Sequence, residues 1–362
     1  MKYSKDELAV LTLDMVSGIT LGKKHKILKM FGSPEEMYDG FSVDQIDFLK
    51  SDIVRKLQLA FSPLSQKILL EELENLPCDI TTIASFDYPE SLNQIYEPPL
   101  CLYYRGNVKL LSGEIITFTG TRHSTIYGTD VTNKFLSKLI EKQVVIASGV
   151  SDGIDRNVMD KISEDQGTLV LVTAGGIDKI VPSINKGIAE KVSKNGLIFS
   201  EHRPDITPQK YHYAMRNRIF AGISNAVVIA EAESSSSSLE IASSALEYGK
   251  EVFAIPGSVL SGASKGTNTM IAKSYAEALI DEKQLFDILR LEYNFKSQTR
   301  TIAVDEAEQL ILDTIEKGKT HISEIAEATN TQTNILLVKL LMLEGKGIIR
   351  NIGSNRYQKC NF

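Results

Sequence analysis

Tryptophan is absent from this chain of 362 residues, and cysteine is scarce. Cys78, Cys101 and Cys360 are far apart and odd in number. That excludes a disulfide scaffold and a cysteine-built zinc site, and it suits a reducing cytoplasm. The five histidines (His25, His123, His202, His212 and His321) show no HxxxH or HExxH spacing, so no metal site is expected. No stretch reaches the ~18 apolar residues that a membrane helix needs. The opening Met1-Lys-Tyr-Ser-Lys-Asp-Glu has no apolar run before its charges, and no secretory signal is expected there. Basic excess is missing as well, with 40 basic against 46 acidic side chains and a net charge of −6. Residues 1–80 hold 10 basic and 13 acidic groups, 81–300 hold 23 and 25, and 301–362 hold 7 and 8. Bulk charge therefore gives no support to a nucleic-acid role, which would need a local patch. What is present is ordinary globular composition, 43% apolar and 24% charged, at a length that allows two or three domains.

Residues 1–75 read as a small helical module of SAM-like or helix-hairpin type. Leu8, Leu11, Val16 and Ile19 precede a turn from Gly18 to Gly22, and Ser33-Pro34 opens a later helix. Two short helices around a Gly-x-x-x-Gly hairpin can grip a DNA backbone, although most such pairs are only packing units. Residues 80–295 repeat a short apolar run, a Gly/Ser/Asp-rich turn and an amphipathic helix. The expected strands are Ile115–Thr119, Val144–Ala147, Leu169–Thr173, Leu197–Phe199, Ala226–Ala230 and Val252–Ile255. They are rich in β-branched residues and do not alternate, as parallel strands covered on both faces should be. Helices are expected at Val131–Lys142, Ile184–Lys194 and Leu239–Tyr248. The alternation predicts an α/β core with a Rossmann-like, doubly wound, mostly parallel sheet, whose ligands would lie beyond the carboxyl ends of the strands. Residues 296–304 read as a linker. Residues 301–362 give helices at Ala307–Glu316, Ile322–Ala328 and Thr331–Leu343, then a hairpin around Gly353-Ser354-Asn355, which is a winged-helix pattern.

The unusual turns fall at the strand ends. Thr119-Gly120-Thr121-Arg122-His123-Ser124-Thr125 combines a glycine, two candidate helix caps in Ser124 and Thr125, and an arginine able to clamp a phosphate. It is neither a Walker A loop nor a dinucleotide fingerprint. Ser148-Gly149-Val150-Ser151-Asp152-Gly153-Ile154-Asp155 and Ala174-Gly175-Gly176-Ile177-Asp178 follow the next two strands. Together the three turns suggest a shelf of backbone donors for phosphates. Tyr211-His-Tyr213-Ala-Met-Arg216-Asn-Arg218 then sets aromatic faces beside two arginines, a combination suited to unpaired bases and the phosphates between them. The alternative is that the tyrosines pack and the arginines pair with Glu201 or Glu231. No nucleophile, base and orienter emerge, so no catalytic residue is assigned. Glu201, Asp155 and Glu231 suit acid/base work in a nucleotide hydrolase of this fold, but such carboxylates more often fix arginines or cap helices.

In series, these turns resemble those of the DprA/Smf family, the bacterial DNA-processing proteins of natural transformation. Phe86-Asp-Tyr-Pro-Glu-Ser-Leu and Glu97-Pro-Pro-Leu-Cys-Leu-Tyr-Tyr-Arg-Gly106 look like the family's entry to its core. Gly120-Thr-Arg122 stands where the family has Gly-Ser-Arg. Ser148-Gly149, Gly153-Ile-Asp155, Ser200-Glu201, Arg216-Asn-Arg218, Pro256-Gly257 and Gly266-Thr-Asn268 follow in the family's order. The helical front and winged-helix end match the family's three-part form. The resemblance implies a cytoplasmic, non-catalytic homodimer that binds single-stranded DNA and delivers RecA recombinase onto it, with no membrane or cofactor involved. It implies that Arg122 holds a phosphate, that Tyr213 stacks where the family usually has Phe, and that Lys186 adds a basic contact. Arg216 and Arg218 would line the groove, and Gly120, Gly149, Gly153 and Gly175 would let the backbone approach the ligand.

The sequence departs from the family at Ser236-Ser237-Ser238-Leu239-Glu240-Ile241, where Ser-Gly-Ser-Leu-Ile-Thr is usual. Asp152 precedes Gly153, Met159 replaces a histidine, and Ser274-Tyr275 replaces Gly-Ala. These changes lower the positive potential of part of the pocket. The five serines from Ser234 to Ser238 read as a flexible loop. In the third C-terminal helix Lys339 is the sole charge after the polar first turn, so that module is expected not to read duplex DNA. Two other readings stay open: a nucleotide-binding enzyme or sensor using the same pocket, and an interaction scaffold whose DNA site has decayed.

Overall fold

The computed structural model describes residues 2–43, 46–290, 305–346 and 348–359. The chain divides into two compact units between residues 292 and 293. The first opens with helices α1 (Lys5–Met15), α2 (Leu21–Leu28), α3 (Pro34–Gly40), α4 (Ser51–Ala60) and α5 (Pro63–Glu74). Ser4 and Glu7 cap α1 reciprocally, through Glu7 N to Ser4 Oγ at 3.2 Å and Ser4 N to Glu7 Oε2 at 2.7 Å. Ser33 and Ser62 cap α3 and α5, each followed by a proline whose missing N–H would have gone unpaired anyway. Leu8, Leu11, Ile27, Met37 and Leu57 form the core of these helices, which continues into Ile80, Cys101 and Tyr103 of the sheet. Packing thus crosses the break expected between residues 75 and 80.

The remaining elements of this unit are β1 (Asp79–Thr82), α6 (Glu90–Asn93), β2 (Cys101–Gly106), β3 (Ile115–Thr119), α7 (Ile126–Glu141), β4 (Val145–Ser148) and α8 (Ile154–Asp165). Then come β5 (Leu169–Val172), α9 (Lys186–Ser193), β6 (Leu197–Ser200), α10 (Lys210–Ile223), β7 (Ala226–Ile229) and α11 (Ser238–Glu247). β8 (Glu251–Ala254), α12 (Lys265–Ala272), β9 (Glu277–Ala278) and α13 (Lys283–Ile288) complete it. The strands form one sheet in the order β1-β2-β6-β5-β4-β3-β7-β8-β9. Strands β3 to β9 are mutually parallel, while β2 runs antiparallel to both β1 and β6. From β3 the chain winds outward through β4, β5 and β6, then returns to wind the other way through β7 and β8. The winding direction therefore reverses between β3 and β7, where open α/β sheets leave a crevice. All of the residues of β3, β5, β6 and β7 are buried, in line with helices on both faces.

The segment Tyr211 to Arg218, which sets aromatic faces beside two arginines, lies inside α10. No helix among the described residues is long and apolar enough to cross a membrane.

The second unit holds α14 (Glu306–Glu316), α15 (Ile322–Thr329), α16 (Thr333–Gly345) and a hairpin of β10 (Ile349–Asn351) and β11 (Tyr357–Lys359). Its own core gathers Ile311, Ile325, Leu336, Leu340, Leu343 and Tyr357. On α16 the opposite face leaves Ile335, Val338, Leu341 and Met342 exposed, and Lys339 pairs with Asp305 at 2.6 Å. The expected linker at 296–304 and Cys360 lie outside the described residues.

Candidate functional site

Where the winding reverses, a cleft of about 360 Å³ opens between the loop after β3 and the segment that leads into α11. Its walls include Gly120, Arg122, Ser151, Asp155, Arg216 and the serines 235–238. The loop after β3 is held from below. Thr121 N donates to Glu231 O at 2.6 Å, and the buried Glu231 carboxylate accepts from Thr125 N at 2.9 Å and Thr125 Oγ1 at 2.7 Å. Of the two hydroxyls able to cap α7, Thr125 does so, accepting from Gly128 N at 3.1 Å, and Ser124 is left half-buried beside it.

The glycines of the turns bring loops together. Gly153 has φ +69°, and a Cβ there would lie 2.2 Å from Thr121 O; the neighbouring Ile154 N donates to that oxygen at 3.1 Å. A Cβ on Gly149 would meet Asp155 Oδ2 at 2.3 Å, and one on Gly120 would meet Ile154 Cγ1 at 2.6 Å. Gly175 is covered by Ile206 O and Pro208 N, both 2.7 Å from its would-be Cβ. Protein atoms fill the space that each missing side chain leaves, so the close packing of the loops itself requires these glycines. The second turn is also tied down by Asn185, which sequence reading passed over. Its Nδ2 donates to Val150 O at 2.9 Å, Ser151 O at 3.1 Å and Asp152 Oδ1 at 3.3 Å.

On this framework three expected residues meet. The guanidinium carbon of the exposed Arg122 lies 5.7 Å from the Tyr213 ring centroid, and that of Arg216 lies 5.5 Å from the same centroid. Tyr213, Arg216 and Phe220 occupy one face of α10, and Arg216 also lies 5.0 Å from the Phe220 ring. Arg216 is only 7% exposed, yet its Nε and Nη1 have no hydrogen-bond partner. Burial lowers its pKa, opposed by the nearby Asp155. Asp155 itself is pushed up by burial and accepts from Thr119 Oγ1 at 2.9 Å and Ser148 Oγ at 3.4 Å. A buried cation with free donors on a cleft wall is an invitation to an anion, because leaving it unpaired costs several kcal/mol.

Residues 79–290 match the family model for DNA recombination-mediator protein A. The chain belongs to that family. The DNA processing protein DprA of Bacillus subtilis is 38% identical over 208 residues, 57% of this chain and 70% of that protein. Its counterpart in Streptococcus pneumoniae is 36% identical over 184 residues, 51% of this chain and 65% of that protein. The X-ray structure of the Streptococcus pneumoniae protein superimposes with a TM-score of 0.66 at 29% identity, covering 81% of this chain and all 100% of that one. A structure of DNA processing protein A from Helicobacter pylori, described for its unique single-stranded DNA binding mode, gives a TM-score of 0.53 at 27% identity. That match covers 59% of this chain and 97% of the other.

Two expected members of the site lie elsewhere. Arg218 points away from the cleft and is locked by Glu201, at 2.9 Å to Oε1 and 2.6 Å to Oε2, and by Glu97 O at 3.1 Å. Burial pushes the Glu201 carboxyl up, but the Arg218 bonds and charge outweigh it and hold the group below its usual range. The pairing alternative thus holds for Arg218 and fails for Arg216. Lys186, at the start of α9, is away from the cleft wall with its Nζ 3.8 Å from Glu190 Oε1.

The departures from the family pattern are absorbed in different ways. Glu240 accepts from Asn217 Nδ2 at 3.1 Å, and Asp152 from Asn185, so each carboxylate has a protein donor. Met159 is buried in the core. The serine run builds one wall of the cleft, with Ser236 Oγ and Ser238 Oγ 2.7 Å apart and α11 starting at Ser238. The first-turn amides of that helix therefore end at the same cavity as Arg216.

Proposed function

We propose that this chain binds single-stranded DNA at the carboxyl edge of its sheet. It acts there as a non-catalytic mediator that protects incoming strands and loads RecA recombinase during natural transformation. The observation that carries this reading is the stack of Arg122, Tyr213 and Arg216 along an open cleft. An aromatic face stacks on any base, and the two guanidiniums beside it can donate to the adjoining phosphates. The single-stranded DNA binding mode of the Helicobacter pylori relative supports it. Each carboxylate weighed as an acid or base is engaged structurally: Asp155 by Thr119, Glu201 by Arg218 and Glu231 by Thr125. That supports binding without turnover.

Homodimerisation and the handover to RecA recombinase are carried from the family resemblance, as is action in the cytoplasm. For the second unit we take the winged-helix reading, with a protein partner rather than duplex DNA, because α16 exposes an apolar face.

The test is fluorescence anisotropy of a labelled ~30-nucleotide oligothymidine against the matching duplex over a salt series. Binding should favour the single strand and weaken with salt at a log–log slope of roughly −0.7 per phosphate neutralised. Failure to bind at low salt, together with thermal stabilisation by a mononucleotide, would transfer the cleft to the nucleotide-binding reading, since orphaned Arg216 suits either phosphate.

A further inference from the structure

The hairpin of α1 and α2, singled out in the sequence as a shape that can grip a backbone, takes no part in the cleft. Its second helix is unusually basic, with Lys23, Lys24, His25 and Lys26 inside it and Lys29 at its end. Two of these groups face inward and fix the helix. Lys24 Nζ bonds Asp14 Oδ1 at 2.9 Å, and His25 Nε2 lies 2.7 Å from Pro98 O. Lys23, Lys26 and Lys29 follow one another at three-residue spacing, share the outer face and are exposed. Among the described residues none of the three takes part in an ion pair. Lys26 Nζ also lies 3.9 Å from the ring centroid of Phe48, which sets a cation and an aromatic face side by side. Residues 1–80 carry more acid than base, so three unneutralised cations on one face form a local positive field against the overall charge.

The sheet places the anchor of α2 at the same edge as the cleft. β2 runs antiparallel to β6 with Tyr103 opposite Ser200, so the start of β2 lies at the carboxyl ends of the parallel strands. Pro98, which anchors His25, lies three residues before that start. Helix α10 links the two places, with Arg216 on the cleft wall, Tyr213 beside it, and Arg218 bonded to Glu97 O next to Pro98. β2 and β3 are four steps apart in the sheet, which at ~4.8 Å per step is about 19 Å. At ~3.4 Å per phosphate on a stacked strand, that is about six phosphates.

We infer that Lys23, Lys26 and Lys29 hold further phosphates of the same single strand that the cleft grips, which makes α2 the second contact of one continuous path. The inference rests on the single-strand reading above. The test uses the full chain carrying Lys23→Gln, Lys26→Gln and Lys29→Gln together, with labelled oligothymidines of ~30 and ~6 nucleotides over a salt series. For the ~30-mer, affinity should fall tenfold or more and the salt slope should flatten by about 2, from three phosphates at roughly 0.7 each. The ~6-mer, whose phosphates at most span the gap and cannot engage all three lysines beyond it, should lose far less affinity. The matching triple Lys→Arg variant should keep the full slope, which separates lost charge from a damaged fold. An unchanged affinity and slope for the ~30-mer overturns the α2 path and leaves the cleft reading intact. Wild-type protein that binds neither oligomer overturns both.

Discussion

Gly153 presses its backbone so close to Thr121 that a β-carbon would sit 2.2 Å from the Thr121 carbonyl oxygen. That contact sets the height of the loop carrying Arg122, because the next amide, Ile154 N, hydrogen-bonds the same oxygen at 3.1 Å. Gly153→Ala must both adopt φ near +69° and push the Arg122 loop away. The expected loss of stability is about 2–4 kcal/mol, combining left-handed strain with the clash. Urea melts at constant slope should show it, and single-strand affinity should fall even at temperatures where the variant is fully folded. A variant as stable and as tight-binding as the parent would remove Gly153 from this role.

Arg122 is the exposed member of the stack, so its removal should leave the fold alone. Arg122→Ala should weaken oligothymidine binding by about tenfold whatever the sequence, and flatten the salt slope by roughly 0.7. Tyr213→Ala should cost about 1–3 kcal/mol of binding with little change in slope, and Tyr213→Phe should retain most of the affinity. Anisotropy at several salt concentrations distinguishes the two signatures. An unchanged slope for Arg122→Ala would refute its phosphate contact.

Arg216 makes the opposite kind of prediction. Its buried guanidinium has two nitrogens without a partner, so Arg216→Met exchanges an unpaired buried charge for apolar volume against Tyr213 and Phe220. Asp155, already pushed up by burial, can take up a proton once the nearby cation is gone, so stability should change little. Binding should drop by about 2 kcal/mol, roughly thirtyfold, through the lost charged hydrogen bonds. Thermal melting and anisotropy on one sample decide it. A large fall in melting temperature would mean that the arginine holds the fold and not the ligand.

The contrast between Arg216 and Arg218 shows how far the sequence could be read. Two residues apart on a helix of 3.6 residues per turn, they point about 200° apart. One therefore reaches the cleft while the other reaches Glu201. The segment Tyr211 to Arg218 stands out by chemistry, and treating it as a cluster rather than a helix hid that separation. The parallel strands were legible because burial on both faces leaves uninterrupted runs such as Leu169–Val172. The antiparallel strands β1 and β2 escaped notice since Asp79 and Arg105 break the apolar pattern where the sheet meets solvent and the helical front. The roles of Glu231 and Asn185 had no local signal at all. Each acts on a loop that only the fold brings near, Thr125 being 106 positions from Glu231.

Two histidines near the start of α10 should make the site sensitive to acid. His202 and His212 lie with ring centroids 4.2 Å apart and their planes tilted by 35°. His212 Nδ1 accepts the Gln209 amide at 3.0 Å, capping the helix that carries Tyr213 and Arg216. Burial lowers the pKa of both; for His212 the neighbouring His202 adds to the effect, and for both Glu201 opposes it. A histidine whose folded pKa lies below its unfolded value near 6.5 binds fewer protons folded than unfolded in the interval between them. Stability is therefore full above about pH 6.5 and falls as acid carries the solution toward the folded pKa values. Protonated His212 also loses its acceptor, which frees the first turn of α10. Single-strand affinity should consequently fall between pH 7.5 and 5.5 more steeply than phosphate chemistry alone predicts, since the phosphodiester keeps its charge throughout. His212→Asn keeps an acceptor for the Gln209 amide but cannot take the proton, so it should flatten the pH profile of both melting and binding. If His212→Asn titrates like the parent, the acid sensitivity belongs to some other group.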